Sequence, residues 1–107
     1  MISIFYGNDR IKALSAAEKI LVKTKADGIV LFDEATINVE ELLSLAEQQA
    51  LFGGTRVVKL DGVLSNEETK EVILKNLESF SKSPTTFIFL EDSLLADEVR
   101  QFKKYAE

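Results

Sequence analysis

Ile29-Val30-Leu31-Phe32 is a run of four apolar residues without a polar interruption. A strand with one wet face alternates apolar and polar residues, whereas a strand that is covered on both faces does not. Asp27-Gly28 precedes the run as a turn pair. The run therefore predicts a strand of a parallel sheet, covered on both faces by helices.

Three further strand-like segments lie on either side of this run, at residues 1–6, 56–60 and 85–90. Apolar residues at helical spacing fill the intervals between the strands and the segment after the last one. The order is strand–helix repeated four times with short connections. It predicts an α/β domain with a parallel sheet, flanking helices and right-handed crossovers. We see no interdomain linker, so we expect residues 1–107 to form one domain.

Capping residues mark the start of three of the predicted helices, and Asn8 and Asp9 are the N-cap types before the first. Asn38, three residues before Glu41, predicts the start of the second helix, and Ser65 with Glu68 reads as a capping box for the third. The spacing after Ser65 predicts one helix with a single apolar stripe. That stripe is formed by Val72, Ile73, Leu77 and Phe80.

Composition excludes several kinds of chemistry. The 107 residues contain no Cys and no His, so disulfides, thiolate metal sites and His-based acid–base catalysis are excluded. No apolar run approaches the length of a membrane span, and the N-terminus lacks a signal pattern, which favours a cytoplasmic domain. The net charge is −5, without the clustered Lys and Arg that binding to phosphates needs. We therefore expect no direct nucleic-acid binding and no membrane partner.

The segment 39–52 carries the candidate binding site. Placed on a helix at roughly 100° per residue, Leu51 and Phe52 fall about 100–140° from the centre of the core-facing stripe, on the side of Leu45 and Gln48. Gly53-Gly54 follows at once and stops the helix. Leu51 and Phe52 would then form an apolar knob for another protein. The alternative is that the helix bends early and both side chains pack under the sheet. The predicted stripe consists of Val39, Leu42, Leu43, Ala46 and Ala50.

The turn after the first strand does not have the sequence of a phosphate loop. It reads Tyr6-Gly7-Asn8-Asp9-Arg10-Ile11-Lys12, without the second Gly and the Lys-Ser/Thr pair that cradle phosphates. Residues 87–92 imitate a Walker B strand, with acids after apolar residues, but without the loop they have no triphosphate to serve. We therefore expect no nucleotide, no metal, no other cofactor and no catalytic residue.

A second α/β class remains as an alternative. A receiver-type signalling domain is phosphorylated on an Asp at the end of its third strand, and Asp61 lies at such a place, with Asp9 after the first strand. However, Asp61-Gly62 is also an ordinary turn pair. The acidic pair directly after the first strand and the fifth strand with its Lys are both missing.

Gln48-x-x-Leu51-Phe52 resembles the short peptide by which many bacterial replication proteins dock on the sliding clamp. Residues 45–58, a helix that ends in Leu-Phe followed by a turn, an Arg and an apolar strand, look like a segment of the delta subunit of the DNA polymerase III clamp loader. The resemblance extends to residues 4–9, 31–33 and 84–90 and so covers nearly the whole chain.

This resemblance implies an N-terminal domain with an AAA+-like α/β fold that has lost its nucleotide site. In that family the delta subunit binds the clamp and helps to open it for loading onto DNA during replication. Carried over, the knob is Leu51 and Phe52, and Gln48 makes the polar contact of the five-residue motif. In the six-residue form the same place is Glu47, which departs from the pattern. The family's lid and collar domains, which join the other loader subunits, are absent, so we expect a fragment of a longer delta subunit.

Overall fold

The sheet consists of four parallel strands, as seen in a computed structural model that describes residues 1–24, 28–47 and 56–106. The spatial order is β1-β4-β3-β2, so β4 and β3 are the inner strands. The prediction of a parallel α/β sheet flanked by helices is therefore confirmed. The strands are β1 (Ile2–Tyr6), β2 (Gly28–Asp33), β3 (Arg56–Asp61) and β4 (Thr86–Glu91).

Helices cover the two faces of this sheet unequally. Ala17 of the first helix packs on Val57, Ile88 and Leu90, and these residues form the smaller of two cores. The larger core lies on the other face, where residues of the four remaining helices meet the sheet. The helices are α1 (Arg10–Thr24), α2 (Val39–Glu47), α3 (Glu67–Lys75), α4 (Leu77–Lys82) and α5 (Ala96–Tyr105).

Aromatic side chains of β4 anchor the larger core. Phe89 meets Phe102 of α5 edge to face with 5.2 Å between the ring centroids, and Phe87 lies 4.8 Å from Phe80 of α4. All four rings are fully buried. Such pairs stabilise the core beyond the apolar area that they bury. Residues 86–91 form the most buried strand because β4 lies between β1 and β3 and contributes side chains to both cores.

Within the described ranges, no helix is long and apolar enough to cross a membrane.

The expectation that both faces of β2 are covered is wrong. β2 is the outermost strand beside β3, and the side chains of Ile29 and Leu31 are 52% and 66% exposed. Phe32, on the opposite face, is buried in the larger core. The apolar run correctly predicted a strand, but it could not show that helix α1 covers the inner strands and leaves this one open.

The predicted third helix is divided into α3 and α4 at Asn76. The backbone N–H of Asn76 donates to the carbonyl of Ile73, while its side-chain amide donates to the carbonyl of Val72 at 2.8 Å. The side chain thus takes the acceptor that the backbone N–H of a continuous helix would use. Leu77 and Phe80 are buried as the stripe predicted.

The capping box at Ser65 and Glu68 is also wrong. Ser65 ends a 3₁₀ turn, Val63–Ser65, and its hydroxyl donates to Gly62 O at 2.9 Å. Asn66 is the residue that caps α3, because its side-chain oxygen accepts the N–H of Thr69 at 3.1 Å. Asn and Ser are both good caps, so the choice between adjacent positions depends on the geometry of the preceding turn.

Candidate functional site

The three residues of the predicted clamp-binding motif, Gln48, Leu51 and Phe52, lie outside the described residues. The described chain reaches the exposed Glu47 at the end of α2 and resumes at Arg56, the first residue of β3. The six-residue form of the motif would use Glu47 as its polar contact.

Helix α2, which leads to the motif, begins as predicted. Asn38 accepts the N–H of Glu41 on its side chain at 3.0 Å and that of Leu42 on its carbonyl at 2.9 Å. Leu42 and Ala46 are buried in the larger core, which confirms their place in the stripe. Leu45, which was expected off that stripe, is also buried, at 9% exposure. The face of α2 that carries Leu45 is therefore buried, so position around the helix no longer indicates that Leu51 and Phe52 are exposed. The proposal of an exposed Leu51–Phe52 knob rests on the sequence motif.

Open parallel sheets usually bind ligands at the carboxyl ends of two neighbouring strands whose connections leave in opposite directions. In this sheet those strands are β1 and β4. Helix α1, after β1, covers one face, whereas α5, after β4, covers the other. Adjacent strands whose connections leave toward opposite faces create a crevice at their carboxyl ends. The groups at this edge of the sheet therefore decide whether such a domain can hold a phosphate.

An arginine held by two carboxylates occupies this edge. Nη2 of Arg10 lies 2.6 Å from Oδ2 of Asp61, and its Nη1 lies 3.4 Å from Oδ1 of Asp92. The hydrogen bond to Asp61, followed by the attraction of the two charges, raises the pKa of Arg10. The side chains of Arg10 and Asp61 are 43% and 37% exposed, so the pair contributes at most about 1 kcal/mol to stability. The guanidinium is thereby engaged by acids rather than open to an anion.

The turn between β1 and α1 is built as a helix cap. Gly7 has a φ of 123° and donates its N–H to the carbonyl of Glu91 at 3.2 Å. Asp9 accepts the N–H of Lys12 at 3.0 Å, so its negative charge lies at the start of α1. A wide-open cleft of about 430 Å³ lies beside this turn. Its lining is largely apolar and includes Ile4, Phe5, Tyr6, Ala13 and Ala16.

Glu91 is the most perturbed acid of the described chain. It ends β4, is 9% exposed, and accepts the N–H of Leu64 on Oε1 at 2.7 Å. Burial raises its pKa from 4.5 to about 7, an effect to which the charges of Asp61, Asp92 and Glu98 add. The hydrogen bond from Leu64 acts in the opposite direction. Glu91 is therefore partly protonated near neutral pH.

A second buried acid, Glu98 on α5, is compensated. Burial alone would raise its pKa, but the N–H of Leu95, donating at 2.9 Å, and the ammonium of Lys70, 3.0 Å from Oε2, together lower it. The close contact with Glu98, followed by that with Glu67, in turn raises the pKa of Lys70. The contrast with Glu91 shows that burial perturbs a carboxyl strongly where no cation accompanies it.

Asp61, the alternative phosphoacceptor, does end β3 as the sequence predicted. Its carboxylate is bonded to Arg10, and Asp9 is used to cap α1. In the part of the chain that the structure describes, no three acidic side chains come together in a group that could hold a metal ion.

Reasoning from the sequence did not single out Arg10 or the burial of Glu91. Residues 91–92 entered only as the acids that follow a Walker B-like apolar run. The completely apolar run of residues 87–90 carried this signal, because an acid that ends an inner strand lies directly beside the core.

No protein-family model matches this chain, and the curated proteins and the solved structures likewise gave no match.

Proposed function

We propose that this chain is the clamp-binding domain of a clamp-loader delta subunit. It acts in the cytoplasm without catalysis of its own and helps to open the sliding clamp during DNA replication. The observation that carries this proposal is the Gln48-x-x-Leu51-Phe52 sequence, which connects helix α2 to strand β3 of a parallel α/β sheet. Leu51 and Phe52 supply the apolar contact, and Gln48, or Glu47 in the longer form of the motif, supplies the polar one.

The proposal includes a more specific assignment of the fold, namely an AAA+-like domain that has lost its nucleotide site. The edge of the sheet at the carboxyl ends of its strands supports the loss of the nucleotide site, because Arg10 there is bonded to Asp61 and Asp92. A nucleotide-binding domain would instead present backbone N–H groups and a free Lys to the phosphates. Energy for loading would come from other subunits of the loader.

The strand order favours this proposal over the receiver-type alternative. Receiver domains have the flavodoxin-like order 2-1-3-4-5, in which the first strand lies between the second and the third. Here β1 pairs with β4, and β2 pairs with β3 at the opposite end of the sheet. The ion pair between Asp61 and Arg10 also engages the carboxylate that would accept the phosphoryl group.

Titration of a purified bacterial sliding clamp with the 107-residue chain tests the proposal. We expect saturable binding that a synthetic peptide of residues 45–54 displaces. The same peptide with Leu51→Ala and Phe52→Ala is the matched control and should not displace it, because hot-spot truncations typically cost about 2 kcal/mol or more. Absence of binding at about 100 μM, close to −5.5 kcal/mol, would reject the proposal.

Incubation with a small phosphodonor and Mg²⁺ tests the alternative. A base-labile phosphoryl group on the wild type that is absent from Asp61→Asn would favour the receiver-type function. We expect equal, background incorporation in both proteins.

A further inference from the structure

The outer edge of strand β2 pairs with no other strand of the described chain. All six of its residues pair in parallel register with β3, from Gly28 opposite Arg56 to Asp33 opposite Asp61. β2 stands at the end of the strand order, and no described residue pairs with its outer side. An edge strand exposes N–H and C=O groups that another strand can bond.

The side chains of β2 leave this edge unprotected. Proteins usually guard an edge with a Pro, a charged residue in the strand or a bulge. β2 has no Pro, its register with β3 is uninterrupted, and its first charged residue is Asp33 at the very end. Ile29 and Leu31 project on the α1 face and are 52% and 66% exposed. Asp33, the last residue of β2, already bonds its N–H to Thr36 and its C=O to the N–H groups of Thr36 and Ile37. The rest of the strand combines an edge that no described strand pairs with and an exposed apolar pair.

We propose that the outer edge of β2 is a self-association surface, on which two copies of this chain pair β2 with β2 to form one eight-stranded sheet. A strand edge is complementary to another strand edge, and a two-fold axis perpendicular to the sheet makes the new pair antiparallel. The same axis places Ile29 and Leu31 of both copies on one face, where cross-strand apolar pairs stabilise the sheet. This surface contains no residue of the proposed clamp-binding motif.

Other exposed apolar groups do not offer the same combination. Ile11 and Val22 are 84% and 74% exposed, but both lie on α1, whose backbone groups are bonded within the helix. β1 ends the sheet on the other side, yet Ile2 is fully buried, and Tyr6, 44% exposed, is its one exposed large side chain. β2 is thus the described edge that gains most from a second strand.

The dimer should be weak and should respond to salt. Pairing through one six-residue strand buries less than the roughly 800 Å² per partner of a standard stable interface. Each copy also carries a net charge of −5, so the copies repel one another at low ionic strength. Because salt screens exposed charges, association should strengthen between about 0.02 and about 0.5 M NaCl.

Sedimentation equilibrium of the 107-residue chain from about 10 μM to about 1 mM tests this inference, since it covers affinities near −4 to −7 kcal/mol. We expect a monomer–dimer equilibrium that strengthens with salt and slower amide exchange in β2 at high concentration. Leu31→Lys should weaken the dimer at least about tenfold, because a charged residue on an edge blocks pairing.

Ile11→Lys is the matched control, because it makes the same change at an exposed apolar residue away from β2. It should leave the dimer unchanged. A wild-type chain that stays monomeric at the highest concentration and salt would overturn the inference. Equal weakening by Ile11→Lys and Leu31→Lys would overturn it as well, whatever the outcome of the clamp titration.

Discussion

Replacing Glu91 with Gln should stabilise the domain at neutral and alkaline pH and change it little at pH 5. The carboxyl of Glu91 is buried at the end of β4, where Oε1 accepts the N–H of Leu64. No ion pair joins it to a cation in the described ranges. The negative charges of Asp61, Asp92 and Glu98 further disfavour its ionised form.

The magnitude follows from the pKa of Glu91, which burial raises from 4.5 to about 7. The folded state then binds the proton more tightly than the unfolded state. The contribution of this group to stability is thus complete below pH 4.5 and is lost as the pH rises through 7. The full difference corresponds to roughly 3 kcal/mol. Gln keeps an acceptor for Leu64 without a charge, so Glu91→Gln should be more stable than the wild type by about 2–3 kcal/mol at pH 8.

Urea unfolding at pH 5, 6, 7 and 8 measures this difference. The wild type should lose stability across the series relative to Glu91→Gln, and the difference between them should be below about 1 kcal/mol at pH 5. Asp33 and Glu98 do not interfere, because their lowered pKa values place their titration below this window. Glu18→Gln, at an exposed position in the middle of α1, is the control and should follow the wild type. Parallel pH profiles for the wild type and Glu91→Gln would refute the assignment of a buried, uncompensated carboxyl.

Three further predictions concern nucleotide, the core and a helix cap. Millimolar Mg-ATP should not raise the melting temperature, because the turn after β1 is a helix cap and a ligand stabilises only a state that binds it; a clear upward shift would contradict this. Phe89→Ala should cost about 3–5 kcal/mol in urea unfolding, since it leaves a cavity against Phe102, and a loss below about 1 kcal/mol would contradict the packing described. Asn66→Ala should cost about 1 kcal/mol through the lost bond to Thr69, and more than Ser65→Ala; the reverse order would restore the capping box at Ser65.

The sequence was sufficient to predict the strands and helices in their order along the chain, because four apolar segments alternate with segments of helical periodicity and few folds have that order. It was not sufficient for the lateral position of β2. An apolar run predicts burial on both faces only if a helix covers each, and coverage depends on where the crossover helix lies over the sheet. Ile29 and Leu31 became exposed because α1 packs over Val57 and Ile88 of the inner strands.

Two of the remaining differences, the division of the third helix and the position of its cap, arose where polar side chains compete for the backbone. Asn76 interrupts the predicted third helix by bonding the carbonyl of Val72, and periodicity of apolar residues does not register such a bond. The burial of Leu45 has another cause, since a helix resting on a sheet beside other helices can bury more than a narrow stripe. The candidate site itself was predicted from a motif, and Gln48, Leu51 and Phe52 lie outside the described residues.

Clamp affinity of the Leu51→Ala/Phe52→Ala double variant, measured beside its urea stability, tests the central claim most directly. If both side chains are interface anchors, their loss costs about 2 kcal/mol or more, which lowers the affinity about thirtyfold or more. Stability should then change by no more than about 0.5 kcal/mol, as for exposed positions. Wild-type clamp affinity together with a stability loss of several kcal/mol would contradict the account and assign Leu51 and Phe52 to the core.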